Sequence, residues 1–495
     1  MPISDFHRRY LDRQGQWNLL TDTLEGRDAI IAAGTRYVPM LSGQKTHVEY
    51  LDYLRRGMWY GATAKTAQAF TGQIFRRDPV VVLSRRLEER ENNINAAGES
   101  LFTFSREATY EVLTKGRYGL LVDISRDGSD PPYIAGYTTE NIRNWRERIV
   151  NGRPKLDQVI LSEEMSQPSA DGFGSTDEVI YRVLELDADG LYRIRIFASV
   201  EASGIVQVDE IIPRPKDGKR IDYIPFVPVG SKNLRITPDR PPMLDMAEAN
   251  IAHWLASVDL AAGLHKTAFP VPVISGVDPD SQAVWEVGGD NVWLLPMGAS
   301  ASMLEFRGDG LGALERQLER CERYMAKLGA TMLEDKKRVT ETAEALNVRN
   351  SGENATLADV AESAGTGLTR ALEFAADWVG DDPGKIQCLL NKDFEASGMP
   401  PQDLLALITG VQQGVIPLDD YIWNLQRREV LRPGRSVEEV RNDLETQKPV
   451  LAGAPDDLTQ SAPGGIQTGV RAPRSPDGSV PSQPNANVRK PRNER

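Results

Sequence analysis

Apolar residues recur mostly at helical spacing along this chain, and the strongest stripes lie between Leu311 and Gly380. In the first, Leu311, Leu314, Leu318, Cys321, Met325 and Leu328 advance by three or four residues and so share one helix face. In the second, Leu346, Leu357, Val360, Ala361, Ala364, Leu368, Leu372, Ala375 and Trp378 repeat the pattern. That stripe runs for roughly ten turns, longer than an ordinary core helix. Gly352, Gly365 and Gly367 interrupt it, each lowering helix propensity by about 0.8–1 kcal/mol relative to alanine. They predict a bend or a close backbone approach. Between the two stripes lies the short turn Glu334-Asp335-Lys336-Lys337-Arg338.

Three further helices are predicted upstream. Glu49 to Arg77 carries Leu51, Leu54, Met58 and Ala62 on one face and ends in Arg76 and Arg77 before Pro79. Its Gly57 and Gly61 leave a small-residue notch that another element can approach closely. A second helix starts at the N-cap Ser100, carries Leu101, Phe104, Ala108 and Val112, and stops near Gly116. The third follows Pro241-Pro242 and runs from Met243 to Leu264. Its apolar positions Leu244, Ala247, Ile251, Trp254, Val258 and Ala261 make a narrow seam, the kind used when helices pack side by side.

Between Tyr118 and Val229 the period changes to that of strands, as in YGLLVDI (Tyr118 to Ile124) and QVILSEEM (Gln158 to Met165). The clearest unit is a hairpin in which YRVLEL (Tyr181 to Leu186) and LYRIRIF (Leu191 to Phe197) flank Asp187-Ala188-Asp189-Gly190. This Asp-x-Asp-Gly lacks a calcium loop's closing glutamate, since Ala198 stands there, so it reads as a turn. Val271 to Phe306, rich in valine, tryptophan and proline, forms further strands. Short helical patterns follow at Pro401 to Gly414 and Pro417 to Val430, and Ser436 with Glu439 makes a capping box. From about Gln447 to Arg495, Pro, Gly, Ser and Asn dominate, which predicts disorder. The cations there, Arg471, Arg474, Arg489, Lys490, Arg492 and Arg495, read as a solvated tail or as contacts to DNA.

Composition narrows the function. The net charge of −13 argues against a sequence-reading DNA binder, which carries a basic footprint. It is compatible with a DNA conduit, because an acidic wall keeps phosphates from adhering; acidity that merely aids solubility fits equally. No Gly-x-x-x-x-Gly-Lys-Ser/Thr phosphate loop occurs, and Gly308-Asp309-Gly310-Leu311-Gly312 reads as a linker. The two cysteines, Cys321 and Cys388, are too few for a four-ligand zinc site. Cys321, on its apolar stripe, reads as a small buried hydrophobe. None of the four histidines pairs at metalloprotease spacing, and His253 and His265 read as structural. No Gly-x-Ser-x-Gly elbow is present. The acidic pairs Glu163-Glu164 and Asp381-Asp382 diverge in direction and read as solvated surface. No catalytic residue, metal site or cofactor is therefore predicted. With no apolar run of spanning length and no signal-peptide pattern at the start, the expected place of synthesis is the cytosol.

The words YVPMLSG (Tyr37 to Gly43), PYIAGYTTENIRNW (Pro132 to Trp145), YIPFVPVG (Tyr223 to Gly230) and TAEALNVRNSGENATLADVAESAGTGLTRALEFAADWVG (Thr342 to Gly380) together resemble, in this order, a family of tailed-bacteriophage portal proteins. The resemblance implies an α+β, mainly helical portal-type fold with wing, stem, β-rich clip and helical crown. It implies residues 1–99 in the wing, stem helices at 100–117 and 241–265 and a β-rich segment with the clip at 118–240. A wing return at 266–310, long helices with a tunnel loop near 332–341 within 311–380, a crown at 381–446 and a tail at 447–495 complete the order. The implied function is a ring, usually of twelve subunits, at one capsid vertex, through which double-stranded DNA is packaged and later ejected. Its implied partners are further copies of the chain, DNA without sequence specificity, the terminase large subunit, major capsid and scaffolding proteins, and head-tail adaptor or tail proteins. Lys336, Lys337 and Arg338 become the DNA-facing tunnel loop, or else a solvated connector. Leu244, Ile251, Trp254 and Val258 become a subunit interface. Another virion structural or adaptor protein, or an enzyme with a dispersed active site, are the competing readings.

Overall fold

The computed structural model describes residues 2–95, 97–124, 131–168, 173–200, 204–216, 218, 220–268, 271–277, 293–295, 297–304, 308, 310–329, 343–392, 394, 401–427, 430–431 and 436–446. Helix and sheet are mixed, an α+β chain, and it divides into two units after Glu395.

The first unit opens with helices α1 (Arg8–Glu25), α2 (Arg27–Ala33), α3 (His47–Arg56) and α4 (Ala62–Ile74), then β1 (Val80–Val82), α5 (Arg85–Glu88) and α6 (Leu101–Lys115). The single helix expected from Glu49 to Arg77 is two. Gly57 leaves helical backbone at ψ 151°, and residues 57–61 turn Trp59 edge-on against Trp254, with ring centroids 5.8 Å apart. At α6 the Ser100 hydroxyl accepts the Thr103 N–H at 3.2 Å, and Gly116 ends the helix in left-handed backbone at φ 75°.

The strands follow as β2 (Arg117–Asp123), β3 (Tyr133–Thr138), β4 (Ile142–Val150), β5 (Arg153–Pro168), β6 (Ser175–Leu186), β7 (Tyr192–Val200), β8 (Gly204–Ile211) and β9 (Phe226–Gly230). They form an antiparallel three-stranded sheet, ordered β3-β2-β9, and an antiparallel five-stranded meander, β4-β5-β6-β7-β8. The turn of the β6–β7 hairpin closes as expected. The Asp187 carboxylate accepts the Asp189 and Leu191 N–H groups at 3.0 and 2.9 Å, acting as a turn clamp.

After the sheets come α7 (Leu244–Thr267), the antiparallel pair β10 (Val271–Ser275) and β11 (Ser300–Leu304), α8 (Leu311–Lys327), α9 (Ala343–Val379) and β12 (Gln387–Leu389), which pairs with β1. The 37-residue α9 is the spine of the unit. Leu357, Val360, Ala361, Ala364, Leu368, Leu372, Ala375 and Trp378 are all buried, so that stretch of the stripe is the core face. Gly365 and Gly367 serve close approach. A Cβ on Gly367 would stand 2.5 Å from Val229 Cγ2, and one on Gly365 3.0 Å from the Cys388 carbonyl oxygen.

One hydrophobic cluster joins Phe104 and Val112 of α6, Leu120 of β2, Leu161 and Leu184 of the meander and Leu372 of α9. The expected stem helix at 100–117 and the β-rich stretch at 118–240 are thus parts of one core. A helix pair interrupted by a β-hairpin occurs later, as α7 and α8. The second unit contains α10 (Pro401–Gln412), α11 (Leu418–Arg427) and α12 (Val437–Thr446), with Ile422, Leu425 and Val440 buried. Its capping box is formed, since Ser436 and Glu439 exchange side-chain to N–H bonds at 3.0 and 3.1 Å.

Candidate assembly surface

The helix pair α7–α8 and its hairpin form the candidate functional element. The α7 stripe is filled by the chain itself. Trp254 and Val258 are fully buried in a cluster with Ile30, Val38, Tyr50, Tyr53 and Leu54, and Ile251 is half-buried against the same group. Leu244 is buried at the start of the helix. The spacing, taken with the family resemblance, implied a subunit interface for these four side chains. Gly57 instead admits Trp254 and Val258 within the chain, at a contact that an added Cβ would close to 2.9 and 2.5 Å. The Met58 N–H donates to Ser257 Oγ at 2.8 Å, and Tyr53 Oη to Asp259 at 2.5 Å, so polar groups hold the same junction.

The other side of α7 receives α8. Leu311 seats over Gly263, where a Cβ would stand 2.5 Å from its Cδ2. Further along, His253 stacks on Tyr60 with ring centroids 4.9 Å apart, and its Nε2 lies 3.4 Å from a Glu322 carboxylate oxygen on α8. Burial lowers the His253 pKa and Glu322 only partly offsets this, which favours the neutral ring. Cys321 is buried beside it, and burial raises its thiol pKa, as expected of a small hydrophobe. Near the start of α7 the helices part over a cleft of about 630 Å³, floored by Ala249 and Ala252 and edged by Asp245, Glu248, Arg320 and Lys327. Its rim is of mixed charge and its floor is apolar. Arg240 clamps Asp245 at the helix start, and that hydrogen bond holds the carboxyl below its ordinary pKa.

Beyond the helix ends, β10–β11 pairs Val271 with Leu304 through Ser275 with Ser300. Val273, Met303 and Leu304 stay exposed, as do Leu294 and Met297. A two-stranded ribbon with bare apolar side chains is marginal alone in water, and exposed apolar patches of this kind mark contact surfaces. Lys336, Lys337 and Arg338 lie outside the described residues, as does the tail from 447. His265 sits in the last turn of α7. Among the described residues no group of three His, Cys, Asp or Glu side chains is placed to hold a metal ion, and no helix is long and apolar enough to cross a membrane.

The sequence reading missed the buried charges. Arg182 on β6 bonds Asp123 of β2 at 3.0 Å and Glu163 of β5 at 2.6 Å, while Tyr137 donates to Glu163 at 2.5 Å. Glu163 is therefore an ion-pair partner rather than solvated surface, and Asp381 pairs with Arg86 at 3.1 Å. Burial raises the Asp123 pKa against the pull of Arg182. Burial also disfavours the Arg182 cation, but Tyr137, Glu163 and Asp123 outweigh it and its pKa is raised. No local signal marks these residues, because each partner comes from a different strand.

Residues 242–379, which span α7 to α9, match a family model described as a domain of unknown function, DUF4055. No curated protein matches the chain at a significant level. Among solved structures, a chain in the virion of a native gene transfer agent particle is similar at 14% identity and a TM-score of 0.37, over 78% of this chain and 94% of that one. A chain from the neck of the empty particle, computed with C6 symmetry, is similar at 16% identity and a TM-score of 0.36, over 85% of this chain and 98% of that one. A chain from the neck of the native particle, computed with C12 symmetry, has 12% identity and a TM-score of 0.36, over 76% and 92%.

Proposed function

We propose that the chain is a portal protein, a ring-forming subunit at one capsid vertex of a phage-like particle. Double-stranded DNA passes through the ring on packaging and again on ejection. The observation that carries this reading is the succession of α7, the exposed hairpin β10–β11, α8 and the 37-residue α9. With 266–310 read as the clip instead of a wing return and α8 as the second stem helix, it gives the order stem, clip, stem, tunnel loop and long helix. In this reading α7, the helix expected at 241–265, stays a stem helix, α8 takes the place of 100–117 as its partner, and β10–β11 takes the place of 118–240 as the clip. The exposed Met303 and Leu304 then face the terminase large subunit during packaging and an adaptor or tail protein afterwards. The second unit is the crown. Lys336, Lys337 and Arg338, between α8 and α9, form a narrow cationic ring in an otherwise acidic channel, touching phosphates without a long adhesive surface. Major capsid and scaffolding proteins surround the ring, in the virion and in the host cytoplasm during assembly. The chain has no catalysis of its own and uses no cofactor.

Heads assembled with and without this chain, then supplied with terminase, ATP and DNA, test the reading. Nuclease-protected DNA is expected only in heads that contain it. Equal protection without the chain would contradict the proposal.

A further inference from the structure

The meander β4-β5-β6-β7-β8 has two open edges, and they differ in charge. β4 and the start of β5 place Arg146, Arg148 and Arg153 at one edge, all exposed. Arg146 and Arg148 share one carboxylate, Asp157, at 2.7 and 3.7 Å, and Glu147 offsets one further charge, so cations remain in excess. The opposite edge, β8, carries Asp209 and Glu210 and no cation. Glu210 lies 3.4 Å from Arg193, which Glu185 already holds at 2.7 Å. Each edge also bares apolar side chains, Ile149 at 78% exposure on β4 and Val208 at 53% on β8.

We propose that these edges are the two halves of one contact between copies of this chain, the cationic β4 edge of one copy meeting the acidic β8 edge of the next. Such a contact joins unlike surfaces, so it propagates head to tail and closes into a ring when its rotation fits. The edges stand about 19 Å apart across five strands, too far for one neighbour's edge to occupy both. Register shifts interrupt the ladder between Arg146 and Glu147 on β4, and between Ile196 and Phe197 where β7 meets β8. Bulges of this kind hinder continuous strand pairing. The contact is therefore one of side chains, with the exposed Ile149 and Val208 at its dry centre and the charges fixing its polarity. The proposal rests on the ring reading and names where neighbours meet.

Two variants test it. One carries Arg146→Glu, Arg148→Glu and Arg153→Glu; the other carries Asp209→Lys and Glu210→Lys. Each alone sets like charge against like, and the fraction of ring particles at moderate salt should fall by about tenfold or more. An equimolar mixture puts reversed edge on reversed edge, so rings should return with the two variants alternating. Circular dichroism checks the fold of each, and the Gln counterparts, which remove charge without reversing it, should lower ring yield in the same direction where a reversal unfolds the chain. Undiminished rings from either variant, or no recovery on mixing folded variants, would overturn the edge contact and leave the ring reading standing. Absence of rings from the wild-type chain would overturn both.

Discussion

Gly57 and Val258 meet with no room for a side chain between them: a Cβ on Gly57 would lie 2.5 Å from Val258 Cγ2. The φ of Gly57 is −66°, which any residue adopts, so a substitution there acts by steric conflict and not by backbone strain. Gly57→Val is expected to cost about 1–3 kcal/mol by overpacking the junction of α3 and α7. Urea unfolding measures it, and a variant as stable as the wild type would contradict the close contact.

His253 gives a pH dependence with a defined sign. Its pKa in the folded chain is lowered below 6.5, chiefly by burial, while the unfolded chain takes up the proton at the ordinary value. Above about pH 6.5 both states are neutral and the group contributes no slope. As the pH falls through that value the unfolded state gains a proton that the folded state refuses, so stability is lost until the folded pKa is reached. His253→Gln removes this loss. The stability of wild type minus variant should therefore shrink as the pH falls from about 7.5 to about 5.5. A difference that grows would show that the buried ring is held as a cation by Glu322.

Arg182→Met tests the buried ion network. Removing the cation leaves the Asp123 and Glu163 carboxylates without their partner, 9% and 22% exposed, which costs about 3–5 kcal/mol at neutral pH. Burial then raises the folded Asp123 pKa further, and a raised carboxylate is penalised above its unfolded pKa and relieved below it. The loss should therefore be largest at neutral pH and fade toward pH 4, measured as unfolding midpoints across that range. A loss independent of pH would mean that Arg182 acts by packing alone.

Local patterns were legible where one element carries its own signal. Ser100 and Gly116 bracket α6, Asp187 and Gly190 close the β6–β7 hairpin, and the α9 stripe from Leu357 to Trp378 is buried. What a residue packs against was not legible. Val159, Ile160 and Leu161 are buried on successive faces of β5, so alternation there does not say which helices cover the sheet. The break after Arg56 depends on Trp254, which lies far along the chain on α7. Arg117 reads as one more arginine, yet it is 1% exposed with its guanidinium 4.4 Å from the Trp145 ring, and burial pushes its pKa down to about 9. The α7 seam had the right spacing for a helix neighbour, but spacing does not distinguish a helix of the same chain from one of another copy.

Electron-microscope class averages of the purified chain test the central claim most directly, because a portal is a ring before it is anything else. End-on particles with a central hole wide enough for a DNA duplex, about 20 Å, and a countable rotational symmetry near twelve are expected. Uniform particles of monomer size with no hole, across protein concentrations and salt, would contradict it.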